Sequence, residues 1–381
     1  MTQSSSPALS TDKARYIMIG GFLGAGKTTA VAALAKRLSA AGLKVGLITN
    51  DQGSELVDTA MLRSNGYPTE EIPGGCFCCR FNSLVEAAER LEVQSSPDVF
   101  IAEPVGSCTD LAATVTYPLR RIYGSQFSIA PLSVLVDPIR AERMLGLAEG
   151  KKFSDKVQYI YRKQLEEADL IVITKNDLLD DARLGALHAR LADEFPRAEI
   201  LDVSMRTGAG AETWFSRIEN AEQTGGEAME VDYEIYAEGE ALLGWLNATL
   251  RLAADKAPFD SDTLLKSLAT GIQTRLAGAE IAHLKMTLSP DSGLGDVAVI
   301  NLVRSDFVPE LSLRLEAPVA SGQVIINLRA EAAPEALRDA VRAAVRDLDA
   351  GETVRAQLEH LEFFRPGKPQ PTHRIAKLAE A

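Results

Sequence analysis

The sequence predicts an α/β protein in two parts: a mostly parallel sheet covered by helices on both faces, then a smaller α+β domain. Three observations predict it. Short apolar runs alternate with stretches of helical spacing over residues 15–218, the pattern of a doubly covered parallel sheet. A glycine-rich turn joins the first apolar run to the first helix. The pattern then collapses into ENAEQTGGEAM over 219–229, a polar stretch with a glycine pair, and β-rich text follows it.

Taken in order, residues 1–14 are polar and read as a disordered N-terminus. Tyr16 to Ile19 is a buried strand closed by Gly20 and Gly21. Thr28 to Ala41 has helical spacing and good helix formers, with Gly42 as its C-cap. Val45–Thr49 is the next strand, 55–63 reads as a short helix, and 82–92 as a clearer one capped by Asn82 or Ser83. Strands recur at Val99–Ala102, Ser133–Val136, Leu170–Thr174 and Glu199–Val203, with helical patterns near 138–148, 155–168 and 180–193. The second domain, expected over 230–350, begins with the alternating text MEVDYEIYAEGEALLGWLNATLRL, read as strand. A helix near 260–277 follows, then strands at 281–288, 296–303 and 311–328 (the last a hairpin) and a helix at 334–348. Residues 351–381, with FFRPGKPQPTH, read as a surface tail.

Composition narrows the function classes. The 381 residues carry 40 basic and 53 acidic side chains, a formal charge of −13, which disfavours non-specific binding to nucleic acid or an anionic membrane. No apolar run is long enough to span a bilayer, and MTQSSSPALSTDKAR lacks the apolar core of a signal peptide, so a cytoplasmic protein is expected. Three of the four cysteines fall within four residues, which suits metal or redox chemistry rather than a disulfide framework.

Gly21-Phe-Leu-Gly24-Ala25-Gly26-Lys27-Thr28-Thr29 satisfies G-x-x-x-x-G-K-[ST] after a strand and at a helix start. This is the phosphate loop of a P-loop NTPase. Its glycines let successive N–H groups face a phosphate, Lys27 reaches the β- and γ-phosphates, and the Thr28 hydroxyl suits Mg²⁺. Thr174-Lys175-Asn176-Asp177 follows the strand LIVI at the carboxyl edge of the sheet, where ligands bind. A carboxylate at Asp177 accepts from the ring N–H and exocyclic amine of guanine, whereas adenine presents an acceptor there; this favours GTP over ATP. The Lys175 stem covers a base face, and Ser204 helps close the guanine pocket. Asp51 and Glu103 each follow a strand and are candidates for the magnesium, Glu103 the firmer because Gly106 gives a mobile backbone beside the γ-phosphate. A helix-capping role is the alternative for either. Glu55 and Asp58 are candidates for a switch segment.

Pro73-Gly-Gly-Cys76-Phe-Cys78-Cys79-Arg80 sets three soft ligands in a tight turn, suited to Zn²⁺ or to Co²⁺ or Ni²⁺. Three thiolates leave a fourth position for transfer. Cys108 is either that spare ligand or a small buried hydrophobe. A redox pair, with Arg80 favouring thiolate, is the other reading of the cluster.

Together these motifs resemble the CobW-like P-loop GTPases, a family that includes metallochaperones and cobalamin-pathway proteins. The likeness rests on Gly20–Thr29, Asn50–Asp58, Cys76–Cys79, Glu103–Gly106 and Thr174–Asp177, in order and at sensible spacings. It implies a GTPase domain over 15–218 and a smaller C-terminal domain. Lys27, Thr28 and Glu103 then serve phosphate and Mg²⁺, Asp177 reads guanine, and Cys76, Cys78 and Cys79 bind zinc or a similar ion for a client metalloprotein or cofactor pathway. The chain departs from the family pattern in having Asp51 where Glu is usual, in Cys108 and in lacking a histidine-rich stretch. With no evident water-orienting glutamine or arginine finger, slow hydrolysis is expected. The rivals are a nucleotide-gated regulator with a structural metal, assisting for instance a cobalamin enzyme, and a small-molecule kinase.

Overall fold

A computed structural model describes residues 13–50, 62, 66–293, 296–351 and 353–378. The first sheet comprises β1 (Ala14–Gly21), β2 (Val45–Asn50), β3 (Thr69–Ile72), β4 (Val99–Glu103), β5 (Phe127–Ile129), β6 (Ser133–Val136), β7 (Leu170–Ile173) and β8 (Glu199–Asp202). Their order is β3-β2-β4-β1-β6-β7-β8, with β5 on the first residues of β1, and every pairing is parallel. Alternation along β1 builds two cores at once. Ile17 and Ile19 face the helices Lys27–Ala40 and Ala211–Asn220, whose Leu34 and Trp214 are wholly buried. Tyr16 and Met18 face the helices Phe81–Ser95 and Asp155–Glu166. All strands run the same way, so β1, β2, β4 and β7 deliver the residues that follow them to one edge.

The second sheet is antiparallel. After the two-residue β9 (Gly226–Glu227) it is built from β10 (Leu243–Ala254), β11 (Glu280–Pro290), β12 (Ala298–Leu302), β13 (Glu310–Leu313), β14 (Ser321–Glu331) and β15 (Val354–Phe364), in the order β13-β12-β11-β14-β10-β15. The helices Ser261–Arg275 and Pro334–Ala350 cover one face, where Leu284, Met286 and Leu288 of β11 meet Leu265 and Val341. The other face turns toward the first domain. Finally β16 (Lys377–Leu378) pairs with β9.

Two stretches differ from the sequence reading. The text read as strand after residue 230 begins with a helix, Tyr233–Leu242, capped by Asp232, which accepts from the N–H groups of Glu234 and Ile235. Its buried residues Tyr236, Gly239 and Glu240 follow the three-four spacing of a helix, not alternation. Gly239 permits close docking on Asp155–Glu166, since a Cβ there would lie 2.5 Å from the Lys156 carbonyl oxygen. The stretch read as a tail from 351 instead continues the sheet through β15, and residues beyond it return to the first domain. The short helix expected at 55–63 falls almost wholly outside the described residues.

Candidate functional site

The phosphate loop owes its path to glycines at positive φ: Gly21 at 125°, Gly24 at 81° and Gly26 at 93°. A Cβ on Gly21 would lie 2.3 Å from the Leu135 carbonyl oxygen, so no other residue fits. Lys27 Nζ donates to the carbonyls of Gly21, at 2.9 Å, and Phe22, at 3.3 Å. The Thr28 hydroxyl donates to Glu103 Oε1 at 3.0 Å, and both side chains are buried. Two oxygen donors so placed fit a hard cation, and they are the residues that would hold Mg²⁺. Gly106 lies tight against this loop, where an added Cβ would come within 2.9 Å of Lys27 Nζ.

At the end of β7, the Thr174 hydroxyl lies 2.8 Å from the Ala25 carbonyl oxygen. Lys175, at φ 50°, donates to the Gly24 carbonyl at 2.9 Å and to Asp137 Oδ2 at 2.8 Å. Burial alone would push Asp137 up, but the charge and hydrogen bond of Lys175, with the Arg140 N–H, hold it below the ordinary carboxylate range. Asp137 also caps the helix Pro138–Met144. It went unread in the sequence, although an Asp after the strand SVLV and before a proline is a helix-start signal. Asp177 pairs with Arg206 at 3.6 Å, and Ser204, buried, accepts from the Thr207 N–H.

Gly24, Gly26, Lys27, Thr28, Thr29, Glu103, Gly106, Thr174, Lys175, Asp177 and Ser204 therefore line one cavity of 720 Å³. Gly21 and Ala25 support the loop from behind. Asp51 lies outside the described residues, as do Glu55 and Asp58. The sequence reading missed the cavity's far wall: the bare face of the second sheet, with Trp245, His283, Lys285, Asn301, Arg304 and Arg329. Only the tertiary fold brings these residues to the phosphate loop.

The thiols form a second centre. Gly74 and Gly75, at φ 75° and 148°, make the turn, and the N–H groups of Cys79 and Arg80 both donate to the Cys76 carbonyl. The Sγ atoms lie 2.7 Å apart for Cys76 and Cys78, 3.4 Å for Cys76 and Cys79, and 3.6 Å for Cys78 and Cys79. Among the described residues these three form the group able to hold a metal ion, and Cys108 is not part of it. Contacts from the thiols of Cys108, Cys78 and Cys79 hold Cys76 well below its ordinary range. Cys78 is pushed well above it by Cys76 and Cys79, and Cys79 up to about 11 by Cys76. Burial, then Cys76, raises Cys108. Three sulfurs so close form a soft donor set, and a metal bound there would displace their remaining protons. Arg80 donates to the Gly74 carbonyl and so ties the turn.

The C-terminal segment covers this centre. Gln370 donates its N–H to Cys79 Sγ at 3.1 Å, Thr372 its N–H to the Cys78 carbonyl at 2.9 Å, and the His373 ring meets Phe81 edge-on. Arg374 pairs with buried Asp110 at 2.7 Å. Beside the thiols stands Glu240, 2% exposed, neither of whose carboxylate oxygens has a hydrogen-bond partner of good geometry. Burial pushes its carboxyl up to about 8; the nearby Ser107 hydroxyl softens this and Cys76 adds to it.

A glycine-rich phosphate loop opening a helix at the carboxyl edge of a parallel sheet defines a P-loop nucleotide-binding protein. Residues 15–202 match the family model described as CobW/HypB/UreG, nucleotide-binding domain. It is 28% identical over 202 residues to the zinc chaperone CobW of Sinorhizobium sp, covering 47% of this chain and 56% of that protein. It is 31% identical over 166 residues to the zinc chaperone YeiR of Escherichia coli K12, covering 43% and 47%. The chain thus spans about half the length of these curated relatives. Among solved structures, the zinc-bound YjiA GTPase of E. coli is 15% identical over 88% of this chain and 99% of that one, with a TM-score of 0.37. No helix among the described residues is long and apolar enough to cross a membrane.

Proposed function

We propose that the protein is a GTP-hydrolysing metallochaperone, whose nucleotide state controls the binding and handing over of zinc, or of Co²⁺ or Ni²⁺, to a client protein or cofactor pathway. The observation that carries this reading is that the nucleotide cavity and the thiol turn are joined twice. Asn50, which lines the cavity, donates its side-chain N–H groups to the carbonyls of Ile72, at 2.8 Å, and Gly75, at 2.6 Å, the latter directly before Cys76. The segment after β4 carries Glu103 at the phosphate end and Cys108 against Cys76 at the other. A change at the γ-phosphate therefore has two short routes to the sulfurs.

In this reading water attacks the γ-phosphate in line. Bound Mg²⁺ supplies charge neutralisation on the phosphate oxygens. Lys27 and the loop N–H groups bind the charge that develops, Thr28 and Glu103 fix the metal side, and Asp177, Lys175 and Ser204 hold the guanine end. The regulator reading, with a structural metal, is favoured by the segment that covers the thiols. Phosphate release from Mg²⁺–GTP and Mg²⁺–ATP, with K27A as control, tests the enzyme. GTP-selective release abolished in K27A is expected, and release equal to that of K27A would contradict it. Exchange of bound zinc with a chelator then separates delivery from a structural metal.

A further inference from the structure

We infer that Lys285, on β11 of the second domain, is a second phosphate-binding lysine that reads the γ-phosphate and ties the position of the C-terminal sheet to nucleotide state. The inference rests on the GTP reading above. Lys285 Nζ donates to the Thr28 hydroxyl at 3.1 Å, across 257 residues of sequence. That oxygen is one of the two that would hold Mg²⁺. An ammonium and a divalent cation repel each other, so loading Mg²⁺–nucleotide moves Lys285 off Thr28. A phosphate chain in the cavity that Thr28 and Lys285 both line would offer its arm an anion in exchange. Lys27 and the loop would hold the inner phosphates, which would leave the γ-phosphate to Lys285 from the second sheet's wall of the cavity.

Charge points the same way. Around the cavity the first domain contributes three cationic and three acidic side chains, whereas the second contributes five cationic and one acidic. The positive potential of the pocket is thus a gift of the second domain, in a chain whose formal charge is −13. His283, two residues before Lys285 and buried, is held well below its ordinary range by burial and by the charges of Lys285, Arg329, Lys27 and Arg140. β11 is paired along its length with β14 and in its second half with β12, so a shift of Lys285 carries the sheet with it.

The test is the affinity of fluorescent N-methylanthraniloyl GTP and GDP in Mg²⁺ for wild type, K285M and K285R, each checked by a thermal melt. K285M is expected to lose about ten- to a hundredfold in GTP affinity while GDP affinity stays within about twofold, since one charge-assisted contact is removed from GTP alone. K285R, which keeps the charge, recovers most of the loss. Equal effects on GTP and GDP, or no effect on either, overturn the inference. If wild type binds neither nucleotide, the GTP reading itself fails and takes this one with it. Should K285M not fold, K285Q against K285R makes the same comparison.

Discussion

Asp177 lines the pocket with Arg206 as its partner, an exposed pair whose own energy is small. In the proposed reading its worth lies in accepting from a guanine base. The D177N variant, which trades an acceptor for a donor, is expected to bind GTP about tenfold or more weakly while phosphate-loop contacts persist, as measured by nucleotide competition. Glu240 makes a different prediction. Its folded-state carboxyl is raised to about 8 from an ordinary value of 4.5, so the folded protein holds a proton that the unfolded chain releases. Stability from this group is therefore lost as pH rises from about 4.5 to about 8, and E240Q escapes the loss. In the metal-free reduced protein E240Q should be more stable than wild type by up to about 4 kcal/mol at pH 8, with the difference vanishing near pH 4. Thermal melts across that range check it. Lys27, Thr28 and the three clustered thiols were legible because contiguous residues carry their chemistry. Lys285 and Glu240 were not, since each matters only through neighbours distant in sequence.

The elements show the same division. Six strands of the parallel sheet were readable because they are short, mainly apolar runs bounded by turns, and β11, β12 and β14 because they alternate, whereas β3, with the text TEEI, and the three-residue β5 carry no such run and went unread. The helix Tyr233–Leu242 was misread because YEIYAEGEAL satisfies alternation locally, while its burial follows contact with Asp155–Glu166. Residues 366–378 are polar and proline-containing, yet backbone hydrogen bonds to Cys78 and Ala113 fasten them over the thiols. Nothing in composition reveals such a contact. Truncation after Arg365 is expected to make Cys79 react several-fold faster with a chromogenic disulfide, because its cover is removed, and to leave GTP binding unchanged. An unaltered thiol rate would show that the segment does not limit access.

For the whole molecule, the account joins three bodies of structure: a phosphate pocket closed by the second sheet, a thiol centre closed by the C-terminal segment, and two short links between them. The N50A variant should keep its zinc ligands yet weaken the link, so its zinc affinities in the GTP and GDP forms should approach one another. The central claim is coupling, and the direct measurement is the zinc affinity of the reduced protein by competition with a chromophoric chelator, first with Mg²⁺–GTP and then with Mg²⁺–GDP. The account predicts two different affinities, with the binding lost in C78S. Equal affinities in the two nucleotide states would contradict it.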